Sequence, residues 1–249
     1  MEESTPLSES TGRLSTPAAR PPVQTAALRE ALSALRRGLA RGCAIQHLIG
    51  ESGVGKTTVL QQLVRDPGSA GPRHRFRFIT GDSGGRPRLG GRARDASVSD
   101  WERALRCLHL ERSTLVLLCD DAASIEEAAL LTRECRASRG RLRLIVTGRV
   151  EPVAEGSIHR MRRLTRSETS EFLNARLGSP EREAPALEAR AISRLHAWSV
   201  GLPGRIEEFM DALEISASRG SSRPVTAAEI DELARSRGPS GWFPSRRVG

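Results

Sequence analysis

Eight consecutive residues, Gly50, Glu51, Ser52, Gly53, Val54, Gly55, Lys56 and Thr57, restrict what this chain can become more than any other feature of it. They match the pattern G-x-x-x-x-G-K-[ST], and their flanks are the ones that pattern needs. Cys43 to Ile49 is a short apolar run that enters the loop directly, and Thr57 to Val64 continues as a helix with Val59, Leu60 and Leu63 facing inward. Strand, glycine-rich loop and helix in that order aim backbone N–H groups and a helix N-terminus at one point, where phosphate oxygens are stabilised.

One residue type sharpens the reading. Of the 39 Lys and Arg residues, only Lys56 is lysine, and it lies inside this loop. A compact ammonium fits among phosphate oxygens where the broad guanidinium fork does not. The expected contacts therefore run along Gly50, Glu51, Ser52, Gly53, Val54, Gly55, Lys56, Thr57 and Thr58. Lys56 is expected to reach the β- and γ-phosphates, and the Thr57 hydroxyl to ligate Mg²⁺. The expected nucleotide is ATP, with GTP the less favoured choice.

A magnesium ion needs a second acid at the end of a buried strand on the same edge of the sheet, because ligands bind outside the carboxyl ends of parallel strands. Leu115 to Cys119 is such a strand and Asp120 follows it. Asp120 is thus the expected metal-coordinating residue. Its other reading is a residue that merely ends the strand. Asp121 stands where many ATPases place a glutamate that polarises the attacking water. Its side chain is one methylene shorter, and a misplacement of about 1 Å costs on the order of 100-fold in rate, so slow hydrolysis is expected. Thr147 closes the next apolar strand and either senses the γ-phosphate or simply forms a turn. Arg205, after Gly201-Leu202-Pro203-Gly204, either reaches the γ-phosphate or lies solvated on the surface.

Apolar strands alternate with amphipathic helices up to about residue 164, and only helices follow. This predicts an α/β fold: a three-layer αβα P-loop NTPase sandwich with a parallel sheet, followed by a small all-helical lid domain. The expected boundaries are a disordered tail over 1–23, the sandwich over 24–164, the lid over 165–237 and a second tail over 238–249. A first helix is expected from Thr25 to about Gly42. The segment Gly81 to Ala96 is rich in Gly and Arg without periodicity and reads as a mobile loop. Trp101 to Leu110 reads as a helix, and Ile158 to Leu164 as a last strand. Helices are also expected from Ser167, over Ala186 to Trp198, over Ile206 to Ala217, and from Thr226, whose hydroxyl and Glu229 three residues on suggest a reciprocal cap.

Composition narrows the class. No run approaches the length of a membrane-crossing helix and the first twenty residues lack a signal peptide's apolar stretch, so the chain reads as cytoplasmic, with no membrane partner. Cys43, Cys107, Cys119 and Cys135 form no C-x-x-C pair and read as small hydrophobes. The formal net charge of +9 and a pI near 11 admit a nucleic-acid partner. Arginine spread over nearly every segment also fits a GC-rich coding bias.

The segments GESGVGKTT, LVLLCDDA, LIVTGR, ETSEFLNARL and SVGLPGRIEEFMDAL together resemble AAA+ ATPases of the ExeA-like and TniB-like group, with an ORC-type ATPase domain, over about residues 25–236. The resemblance implies an ATPase with Thr147 as first sensor and Arg205 as second. It also implies a homo-oligomer in which Arg160, Arg162 or Arg163 reaches a neighbour's nucleotide. GVGKTT, the paired aspartates, IVTGR and GLP more weakly resemble STAND signalling ATPases, which use nucleotide mainly as a switch. The expected function is thus either an ATP-hydrolysing motor or loader acting on DNA or a protein complex, or a nucleotide-gated switch. A DNA-binding adaptor with a vestigial loop is the third and least supported reading.

Overall fold

A computed structural model of the chain describes residues 23–68, 73–81, 87–89, 113–120, 125–149, 155–177, 187–217 and 224–241. Six strands form one sheet: β1 (Ile45–Ile49), β2 (His74–Gly81), β3 (Pro87–Leu89), β4 (Thr114–Cys119), β5 (Leu142–Gly148) and β6 (Ser157–Arg160). Their order is β3-β2-β4-β5-β1-β6, with β3 antiparallel to β2 and every other pairing parallel.

The strands alternate side chains between two faces, and each face meets its own helices. Leu115, Leu117, Cys119, Leu142, Leu144 and Val146 pack with Leu131 and Cys135 of α3 (Ile125–Ala137). On the other face Leu48, Val116, Leu118 and Ile145 pack against α1 (Ala26–Ala40) and α2 (Lys56–Arg65), through Leu35, Leu39, Val59, Leu60 and Leu63. That is a three-layer sandwich built by simple period-two patterning. The α1 helix begins as its sequence suggests, with Thr25 Oγ1 accepting the Leu28 N–H at 3.2 Å. Burial pushes the Cys135 thiol up to about 12, which keeps it a packed hydrophobe.

Among the described residues four further helices follow: α4 (Arg166–Leu177), α5 (Ala189–Ser199), α6 (Pro203–Ala217) and α7 (Ala227–Gly241). They share a separate core of Phe172, Leu173, Leu195, Ile206, Phe209, Met210 and Ile230, joined by Ala27 of α1 and Leu164. Two reciprocal caps fix helix starts. The Glu229 carboxylate accepts the Thr226 N–H at 2.8 Å while Thr226 Oγ1 accepts from the Glu229 N–H. Thr165 and Glu168 repeat the pattern, so α4 starts one residue before the expected Ser167.

The structure corrects several boundaries. Part of the expected mobile loop at 81–96 is strand β3, because β2 offers its free edge at Ile79 to Gly81 and backbone pairing needs no side-chain periodicity. The last strand is shorter than expected and starts earlier, at Ser157 rather than Ile158, ending at Arg160. Helix α7 runs through Gly241, beyond the expected start of the second tail. Val23, assigned to the first tail, packs against the helical core. The expected helix at Trp101 to Leu110, Asp121 and Cys107 lie outside the described residues.

Candidate nucleotide-binding site

Strand β1 delivers the loop to the carboxyl edge of the sheet, and β5 separates β1 from β4, so three strand ends converge there. Gly53 and Gly55 adopt φ of +80° and +104°, a left-handed region that side chains rarely tolerate. Those two turns let the chain enter α2 at Lys56 with Gly55 as its cap. Glu51, Ser52 and Gly53 form the exposed tip, Val54 is buried beneath it, and Thr57 and Thr58 face the opening. The buried Lys56 Nζ donates to the Gly50 carbonyl at 2.7 Å and to the Glu51 carbonyl at 2.9 Å, which holds the ammonium over the loop.

The Asp120 carboxylate is held at both oxygens. Thr57 Oγ1 donates to Oδ2 at 2.6 Å and Thr147 Oγ1 donates to Oδ1 at 2.7 Å. Register explains the meeting: Cys119 pairs with Val146 and Leu48 pairs with Thr147, which sets the β4 end beside Thr147 and Thr147 beside the loop strand. Thr57, Asp120 and Thr147 therefore form one hydrogen-bonded set across the start of α2 and the ends of β4 and β5. A hydroxyl and a carboxylate are oxygen donors suited to magnesium, which takes few protein ligands and keeps phosphate and water oxygens for the rest. No cluster of three or more His, Cys, Asp or Glu occurs among the described residues, so any such ion would depend on those further oxygens.

The helical region reaches the loop through the segment before α6. The Gly204 N–H donates to the Gly53 carbonyl at 2.8 Å, and a Cβ on Gly204 would stand 2.9 Å from the Gly53 Cα. Glycine at 204 is thus required by backbone contact. The approach is set by Val200, a branched residue held at φ 55°, and by Gly201, whose carbonyl accepts the Leu164 N–H at 2.8 Å. Arg205 follows Gly204 directly, and its charge helps to hold the Glu51 carboxyl below the usual range. The main cause of that lowering is the two-pronged pairing of Glu51 with Arg163, at 2.7 Å for each contact. Arg162 likewise clamps Glu168, and with the Thr165 N–H it holds that carboxyl at about 2.

A cleft of about 300 Å³ opens beside the loop. Val23, Leu28, Val54, Met161 and Phe172 give it apolar walls, with Thr25 and Glu207 as polar members and Gly53, Pro203 and Gly204 closing one side. Sequence reasoning assigned none of Val23, Leu28, Met161, Phe172 or Glu207 to the site, since they come from α1's approach, the end of β6, α4 and α6. The structure brings together the loop residues Gly50 to Thr58, Asp120 and Thr147, and it sets Arg205 beside the loop tip.

Fold and loop together define an αβα sandwich of the P-loop NTPase class followed by an all-helical region. Among solved structures, the Aeropyrum pernix ORC2 protein in its ADP form shares this fold, with a TM-score of 0.58 at 13% identity over 86% of this chain and 69% of that one. The C. elegans PCH-2 structure aligns over 86% of this chain and 68% of its own at 14% identity, with a TM-score of 0.46, too low to argue from. No protein-family model matches the chain, and no curated protein matches it in sequence. No helix among the described residues is long and apolar enough to cross a membrane.

Proposed function

We propose that this chain is a magnesium-dependent AAA+ type ATPase that couples its nucleotide state to the assembly or remodelling of a DNA or protein complex. The observation that carries the reading is the two-sided grip of Thr57 and Thr147 on Asp120 beside a lysine-bearing glycine loop. In this reading Lys56 turns from the loop carbonyls to the β- and γ-phosphates, which are stronger acceptors. Thr57 and Asp120 hold Mg²⁺, whose chemistry there is to neutralise charge on the phosphates. Thr147 senses the γ-phosphate and Arg205 reaches it from the helical side. The apolar cleft receives the base, with ATP favoured over GTP.

The proposed units are the sandwich over 24–164 and the lid over 165–237. The Gly53–Gly204 contact supports coupling between them, since phosphate entering the loop must disturb or tighten it. We further read the protein as a cytoplasmic homo-oligomer. Arg160, Arg162 or Arg163 reaches a neighbour's nucleotide in such an assembly; Arg162 and Arg163 would first release Glu168 and Glu51 of their own chain.

A STAND-like switch with little hydrolysis is the second reading, and the aspartate at position 121 favours it. Titration of a fluorescent ATP analogue with Mg²⁺ tests the shared premise. Lys56→Ala is expected to weaken binding by about 10- to 100-fold through loss of charge-assisted contacts. Binding that ignores this change removes both readings.

A further inference from the structure

We propose that the end of the sheet opposite the phosphate loop is a docking surface for the phosphate backbone of a nucleic acid. The proposal gives the nucleic-acid partner considered above a surface, and it rests on charge placement, independent of the nucleotide site. Residues 24–164 carry 25 Lys and Arg against 15 Asp and Glu, whereas residues 165–237 carry 10 against 12. A coding bias toward arginine acts on both regions alike, so it does not produce a basic sheet region beside a slightly acidic helical one.

Topology concentrates that excess. All five parallel strands begin at this end, and α1, α2 and α3 finish there, as the pairing of Arg36 near the end of α1 with Asp66 after α2 shows at 2.9 Å. Arg41 precedes β1, Arg73 precedes β2, Arg139 and Arg141 precede β5, and Arg65 ends α2, all of them exposed. Arg36 and Arg136 are answered by Asp66 and Glu155, but no carboxylate among the described residues pairs with Arg41, Arg65, Arg73 or Arg139. A helix C-terminus favours one nearby cation; it does not call for a row that crosses the sheet.

The row runs from β2 across β4 and β5 to β1, three strand spacings of about 4.8 Å, or roughly 14 Å in all. At about 3.4 Å of axis per phosphate on one strand of a duplex, that length spans about four phosphates. The helical region of a second copy offers a poorer partner for it, because its 12 carboxylates are nearly matched by 10 arginines and several are already engaged. Glu207 and Asp211 are engaged by Arg176, Asp231 by Arg194 and Trp198, and Glu168 by Arg162, all within their own chain. A membrane surface fits less well, because interfacial binding needs an apolar face, and among the described residues here the exposed large hydrophobes are two separate ones, Val64 in the last turn of α2 and Ile158 at the start of β6.

The test is fluorescence anisotropy of a labelled duplex DNA of about 20 base pairs, with a duplex RNA in parallel, on the full chain without nucleotide between roughly 50 and 200 mM salt. Binding to either duplex is expected, with a slope of log affinity on log salt of about −3 to −4. Arg41→Gln, Arg73→Gln and Arg139→Gln together are expected to weaken binding at the lower salt at least 10-fold and to flatten the slope by about 2 to 3. Arg190→Gln with Arg235→Gln on the helical region should leave both unchanged. A thermal melt and retained binding of the fluorescent ATP analogue report that the variants are folded. Should the triple variant not fold, Arg73→Glu alone at an exposed strand start must still weaken binding. No duplex binding, an unchanged slope in the folded triple variant, equal loss in the helical-region pair, or tighter binding of polyglutamate than of a duplex would each overturn the proposal.

Discussion

The sheet region and the helical region meet at the phosphate loop by different means. The sheet contributes side chains with defined chemistry, Lys56, Thr57, Asp120 and Thr147, each fixed by a strand end or a helix start. The helical region contributes mainly backbone, a Gly204 N–H on the Gly53 carbonyl, with Arg205 one residue behind. In the function proposed above, chemistry held on strands and contact made through glycine divide the labour: one region would grip the nucleotide and the other would register that grip. Their cores are separate as well, joined chiefly by α1, which gives Leu28 to one and Ala27 to the other.

On that division, damage to the sheet side costs most. Lys56→Ala is expected to abolish measurable turnover and weaken nucleotide binding by about 10- to 100-fold, read by titration. Asp120→Asn removes the charge between the two threonines and should lower the turnover number by on the order of 100-fold, with the remaining activity nearly independent of magnesium concentration. Gly204→Ala, on the other region, places a methyl against the Gly53 backbone. Overpacking of this kind costs about 1 to 3 kcal/mol, so nucleotide affinity should fall while Asp120 chemistry stays intact. An unchanged affinity would break the claim that the helical region reads the loop.

Smaller effects sharpen the contrast. Arg162 lowers the Glu168 carboxyl from 4.5 to about 2, a depressed folded value. Its stabilisation is therefore complete above about pH 4.5 and lost as pH falls from there toward 2. Because Arg162 is half exposed, the loss should be roughly 1 to 2 kcal/mol, and Glu168→Gln should flatten the acid limb of a stability profile measured by denaturant melts. Val200→Gly relieves a branched residue of its left-handed conformation and should raise stability by up to about 1 kcal/mol in the same assay, because glycine's added chain freedom offsets part of the gain.

What could be read beforehand divides along the same line. The loop, the acid after β4 and the threonine ending β5 were legible, because a contiguous motif and the carboxyl ends of apolar runs carry them. The helices of the second region were legible from periodicity and from Thr226 with Glu229. The cleft was not, since Val23, Leu28, Met161 and Phe172 are ordinary apolar residues until folding brings four segments together. Nor was the Gly53–Gly204 contact, as GLPG reads locally only as a helix break. Strand β3 escaped because its pairing comes from the edge of β2, a long-range partner that a Gly- and Arg-rich stretch does not announce.

Steady-state phosphate release from ATP and Mg²⁺, compared between the native chain, Lys56→Ala and Asp120→Asn, addresses the central claim most directly. The account predicts release by the native chain that both changes suppress. Release that survives both substitutions would contradict it, and so would a native chain that neither binds nor hydrolyses ATP in the presence of magnesium.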